Sequence, residues 1–159
     1  MEINGLPVHP LIVHLAVVFV PLAALTGAVY VTVPRWRWAT RWPMVVTSVL
    51  ATASVVYAWF SGRNYREELV GQGADQLHFQ DHAEHADILL WVCVCFLALV
   101  LLAAWAHGGP SALASGRGAR GKHAPLIEWS VTVMLLILAV AMIAMVITTG
   151  EAGSRLIHG

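Results

Sequence analysis

Charge is scarce in this chain: 11% of its 159 residues are charged, nine basic against nine acidic, for a net charge of zero. That shortage excludes a nucleic-acid partner, which needs Lys and Arg in excess on one face. It also leaves no charge-rich linker to divide the chain into two domains. Only two cysteines occur, Cys93 and Cys95, both inside an apolar run. A helix turns side chains at that spacing about 200° apart, so they read as neutral packing thiols rather than a disulfide or metal pair. The missing Cys-x-x-Cys-His run excludes covalent c-type haem attachment of the usual kind. There is no Ser/His/Asp arrangement at recognisable spacing, no phosphate-binding glycine loop and no shielded pair of acids, so an enzyme is hard to defend. The amino terminus lacks the basic region of a secretory signal, and its apolar run is expected to remain as a permanent span.

What the chain has in abundance is hydrophobicity, 58% of residues, which is too apolar for a soluble domain. Four runs carry it: Leu11–Val33, Trp42–Ser61, Ile88–Ala106 and Leu126–Thr149. Each approaches the roughly 20 residues a helix needs to cross a bilayer. The expectation is one all-α domain over residues 1–159, an integral membrane four-helix bundle with both termini on the same side. Arg35, Arg37, Arg41, Arg117, Arg120 and Lys122 fall in the loops after the first and third spans, with Glu128 as the acid on that side. The positive-inside rule makes this the cytoplasmic face and places both termini outside. Trp36, Trp38, Trp42, Trp105 and Trp129 gather at the cytoplasmic ends, with Trp59 and Trp91 near the outer ends, as interface anchors do.

Thr47, Ala51, Ser54 and Ala58 make a narrow stripe of small residues in the second span, the expected inner seam. Pro21 is expected to bend or loosen the first helix, since it removes a backbone donor. Residues 62–84 read as a polar outer loop, with Gly71 and Gly73 marking a turn and helix formers from Asp75 onward extending the third span. The stretch 108–125, rich in Gly, Ser and Ala, reads as a mobile connector.

Histidine is distributed unevenly. Six of eight, His9, His14, His78, His82, His85 and His158, fall at the outer ends of the spans, while His107 and His123 fall at the other side. Pro10 fits the first turn of a helix, which puts His9 at the interface and His14 deeper. An ionisable side chain in a span tends to face the bundle interior or a polar cavity. His14 is therefore a hydrogen-bonded neutral imidazole, a ligand to haem or metal, or a proton relay. His78, His82 and His85, spaced by four and three, share one stripe of a helix that can hold a divalent metal or simply be solvated. Two imidazoles on different helices at similar depth are what six-coordinate b-type haem requires. Arg63, Arg66 and Arg155 are available for its propionates, and Met142 with Met145 would suit copper.

The run His9-Pro10-Leu11-Ile12-Val13-His14-Leu15, the segment His82-Ala83-Glu84-His85-Ala86-Asp87 and the closing Thr149-Gly150-Glu151-Ala152-Gly153-Ser154-Arg155-Leu156-Ile157-His158-Gly159 together resemble the bacterial membrane family called domain of unknown function 2231. The resemblance covers essentially the whole chain. Positions that match are His9, Pro10, His14, His82, Gly150, Gly153, His158 and Gly159; the chain departs at Glu151, where many relatives carry histidine. Some family members are joined to Rieske or cytochrome modules, which implies a redox setting in the bacterial inner membrane. The leading expectation is an electron carrier with b-type haem near the outer face, ligated by His14 and His82. His85 would substitute for His82, and His9 and His158 would support the site. The competing expectation is an accessory subunit of a larger respiratory or transport complex, with a homo-oligomer left open. A third is a zinc or copper site on His78, His82 and His85.

Overall fold

Each apolar run becomes one helix, and each helix outgrows its run at one end or both. The computed structural model describes residues 2–3, 6–71, 80–107 and 124–158, with side chains over 12–67, 70–71, 80–105 and 126–152. A two-residue antiparallel ladder, β1 (Glu2–Ile3) with β2 (Leu6–Pro7), leads directly into α1 (Val8–Thr32). A single 3-10 turn, Pro34–Trp36, joins it to α2 (Arg37–Gly71), followed by α3 (Gln80–His107) and α4 (Ala124–His158). Pro10 does lie in the first turn of α1.

The stretch after Ser61 is a correction to the loop expected over residues 62–84, because α2 continues through it to Gly71. Polarity ends a span but not a helix. Arg66, Glu67, Glu68 and Leu69 are good helix formers, and they carry the described helix on to Gly71. The third helix likewise begins at Gln80, eight residues before its apolar run, with Asp81 in a first turn that favours an acid.

Four lines of residues spaced three and four apart meet at the centre. They are Ala16-Val20-Ala23-Gly27-Tyr30 on α1, Met44-Ser48-Ala51-Val55 on α2, Leu89-Cys93-Phe96-Val100-Ala103 on α3 and Val131-Leu135-Ala139-Met142-Val146 on α4, all of them buried. Every helix packs on two neighbours, α1 on α2 and α4, and α3 on α2 and α4. Small residues dominate α1 and α2, and large ones from α3 and α4 fill the space between. The expected seam on α2 is present in part: Ala51 and Ser54 are buried, Thr47 and Ala58 half-buried, and the buried line is displaced toward Met44 and Ser48.

Hydroxyls in this apolar setting are satisfied locally. Ser48 donates to the Met44 carbonyl at 2.7 Å and Ser54 to Ala51 at 2.8 Å. Thr26 and Thr47 join α1 to α2 through their hydroxyls at 2.9 Å, and the fully buried Tyr30 hydroxyl donates across the bundle to Ala103 O at 3.3 Å. Such bonds substitute for the water a span cannot reach.

These contacts also fix direction. Thr52 reaches the Cys93 carbonyl and Trp59 reaches Asp87, so α2 and α3 are antiparallel. Gly27 abuts Phe96 while Tyr30 reaches Ala103, so α1 and α3 run parallel. His82 near Thr149 places the start of α3 beside the end of α4. The start of α1 and the end of α4 therefore share one end of the bundle, the terminal end; the turn between α1 and α2 marks the opposite, hairpin end.

Outside the core, leucine, isoleucine, valine and tryptophan cover all four helices. In water this surface would far exceed the apolar patch a monomer tolerates, whereas in hydrocarbon it is the proper exterior. All four helices are long and apolar enough to cross a membrane. Cys93 and Cys95 are both free thiols, the first buried and the second exposed on the outer surface. In mild detergent a small maleimide is expected to modify Cys95 and to spare Cys93 until the bundle is unfolded. Equal labelling of both in the folded protein would contradict the register of α3.

Candidate functional site at the terminal end

The line Leu89-Cys93-Phe96-Val100 continues in the other direction through Ala86 to His82, with the same alternation of three and four residues. His82, half-buried, thus lies on the face that α3 turns to the other helices. Its Nδ1 lies 3.2 Å from the carbonyl oxygen of Thr149 on α4. A carbonyl can only accept, so Nδ1 carries the proton and Nε2 the lone pair. This is how metal-ligating histidines are commonly held, one nitrogen on a carbonyl and the other presented to the metal.

Thr149 contributes a second anomaly. Its hydroxyl oxygen is buried and has no hydrogen-bond partner among the described residues, although the preceding Thr148 donates to Met145 O at 3.1 Å. A buried orphan hydroxyl costs roughly 1–3 kcal/mol, which makes its surroundings a place where a bound polar group would be welcome. Ala83, Ala86, Gly150 and Ala152, all small, stand near this level in sequence.

His85 is half-buried and donates from Nδ1 to Asp81 O of its own helix at 2.5 Å. It lies about 50° around α3 from the core line at 100° per residue. His82, not His85, is the residue that faces the bundle. His14 is exposed, and lies about 160° around α1 from the middle of that helix's buried line. The structure therefore turns His82 toward α4 and His14 toward the outside.

The remaining expected residues divide. Arg63 stacks over the Trp59 ring at 4.7 Å, and the Trp59 indole N–H donates to the Asp87 carboxylate. These three clip α2 to α3 beside the histidines. The clip was not foreseen from the sequence; the spacing of Trp59 and Arg63 by four was its available signal. Arg66 lines a cleft with Glu67, Val70, Gly71 and Gln80. His9, Arg155 and His158 are helical, but their side chains lie outside the described residues, and His78 lies outside them altogether. Among the described residues, no group of three or more His, Cys, Asp or Glu side chains converges. Met142 is fully buried and Met145 packs against the core, so both serve as filling between helices.

Comparison with known proteins gives one match. A family model described as a predicted membrane protein, DUF2231, fits residues 5–158. No curated protein and no solved structure matches the chain.

Proposed function

Given that the chain belongs to DUF2231, a family of predicted membrane proteins, we propose that it is a membrane electron carrier holding a b-type haem at the terminal end of its bundle. The observation that supports this reading best is the posture of His82, whose Nδ1–H is tied to Thr149 O so that Nε2 is the ligating nitrogen. The buried hydroxyl of Thr149 beside it suits a polar bound group. Deeper in the bundle Tyr30, Phe96, Leu135 and Met142 fill the core, so a porphyrin belongs at the end and not in the middle.

His82 would ligate the iron, which supplies a one-electron couple when bound. Arg63 and Arg66 stand on the same end of α2 for the propionates. His14 is the second proposed ligand, and its outward position makes it the one that needs separate testing. The terminal end would face outward from a bacterial inner membrane, because the arginines of the opposite end favour the cytoplasm.

The test is the visible spectrum of mildly purified protein, oxidised and then reduced with dithionite, for the wild type and for H82A, H85A and H14A. A sharp reduced α-band is expected in the wild type, absent in H82A and retained in H85A. Its loss in H14A as well would establish the six-coordinate pair; a broadened band there would mean that His82 ligates alone. A featureless wild-type spectrum from cells supplied with haem would sink the proposal.

A second reading rests on the exposure of His14 among Leu15, Val17 and Val18. An imidazole exposed on the surface of a membrane helix is also within reach of another protein's helix. That reading makes the chain an accessory subunit, and it predicts that H14A loses a co-purifying membrane complex while the isolated bundle stays folded. Zinc on His78, His82 and His85 would instead require His78 and His85 together.

A further inference from the structure

The hairpin end carries a different chemistry, independent of the histidines. Arg35, Arg37 and Arg41 fall within seven residues, and Glu128 is the one acid among the described residues at that end. The connection that bears them is short and held by backbone hydrogen bonds. Val33 N–H donates to Val29 O at 3.0 Å and Trp36 N–H to Val33 O at 2.9 Å, while the Arg37 N–H donates to Pro34 O. Helix, 3-10 turn and helix thus follow one another directly.

The three arginines have different tasks. Arg37 is committed inward: its Nε donates to Tyr30 O at 3.4 Å, and its guanidinium lies 5.8 Å from the Tyr30 ring centroid. Arg35 lies over Trp36 at 5.7 Å and Arg41 over Trp42 at 5.9 Å. Their indoles point away from the bundle, with Trp36, Trp38 and Trp42 exposed by 51%, 84% and 67%. An indole this exposed on a membrane helix belongs at the level of the lipid glycerol and ester groups. A guanidinium within about 6 Å of such a ring is then held near the level of the phosphates, where N–H groups can donate to a pair of oxygens alongside whatever other contacts the side chain makes.

We propose that the α1–α2 hairpin is a binding surface for an anionic glycerophospholipid, with Arg35 and Arg41 on the headgroup phosphate and Trp36, Trp38 and Trp42 along its glycerol and upper acyl region. Charge complementarity selects the anionic class. A zwitterionic choline lipid offers the same phosphate, but its quaternary ammonium is repelled by three neighbouring arginines. Free phosphate would satisfy the guanidiniums and leave the indoles without an occupant.

The experiment uses the full-length protein reconstituted in vesicles in which either phosphatidylglycerol or phosphatidylcholine carries brominated acyl chains, which quench tryptophan on contact. Five of the seven tryptophans stand at the hairpin end, so the signal reports chiefly on it. The wild type is expected to prefer brominated phosphatidylglycerol by about fivefold or more, the effect of at least one arginine near an anionic lipid surface. That preference should fall with rising salt and disappear in R35Q/R41Q. Quenching of R35Q/R41Q by brominated phosphatidylcholine should match the wild type, which shows that the variant is inserted. Equal quenching of the wild type by both lipids, or an unchanged preference in R35Q/R41Q, would overturn the proposal. So would loss of the preference on adding inorganic phosphate at constant ionic strength, which would assign the site to the free anion.

Discussion

Replacement of Gly27 by leucine is expected to abolish the folded bundle, and replacement by alanine to destabilise it by about 1–3 kcal/mol. A Cβ at this position would lie 2.7 Å from Cζ of Phe96, closer than such contacts come in folded proteins. The ring cannot simply swing aside. Phe96 is almost wholly buried, between Cys93 and Val100 on the line that α3 presents to the other helices. Insertion of one methyl must therefore move α1 or tilt the ring within a packed core, and insertion of an isobutyl group has no such solution.

The pairing is testable by rescue. Phe96→Leu shortens the opposing side chain, so G27A/F96L should recover part of what G27A loses, a coupling of about 0.5–3 kcal/mol between touching residues. Gly150 is the internal control, because a Cβ there meets nothing within 4 Å. G150A should change stability by no more than about 1 kcal/mol, and in the stabilising direction, since alanine is the better helix former. Detergent-unfolding midpoints for the wild type, G27A, F96L, G27A/F96L and G150A decide the matter. Equal costs at Gly27 and Gly150 would mean that α1 and α3 do not approach at this level.

Sidedness is the second large effect, because its readout is nearly all or none. Alkaline phosphatase, active only outside the cytoplasm, is expected to be active when fused after Gly159 and silent when inserted in residues 108–123. The physical cause is the retention of Arg35, Arg37 and Arg41 on the cytoplasmic side. Neutralising these three to glutamine while adding three arginines beside Glu2 should shift much of the population to the inverted orientation. An active insertion in residues 108–123 of the unaltered protein would reverse the assignment of inside and outside, and with it the side on which His82 would exchange electrons.

Much of the fold was legible because a bilayer leaves few solutions. Four apolar runs of sufficient length imply four helices, and an even number of crossings returns the chain to its starting side. The extent of the helices was less legible. Apolar character ends near Ser61, yet α2 runs on to Gly71, because helix propensity in Arg66–Leu69 does not depend on hydrophobicity. The Trp59–Asp87 bond was hidden for another reason: its partners are 28 residues apart on antiparallel helices, and no local spacing encodes that meeting.

The histidines show the division most clearly. By itself the sequence assigned six of the eight to one end of a membrane bundle, since hydropathy places each at the end of a span. It favoured His82, with His85 as its substitute, without deciding which of the two faces the bundle, and it paired His14 with His82 on depth. Only the tertiary structure decided their rotation: His82 continues the buried line of α3 and meets the Thr149 carbonyl, while His14 lies on the exposed side of α1. The reason is physical. Depth in a membrane is a one-dimensional property that composition encodes, whereas the direction of a side chain around its helix is set by which neighbouring surface the whole helix packs against.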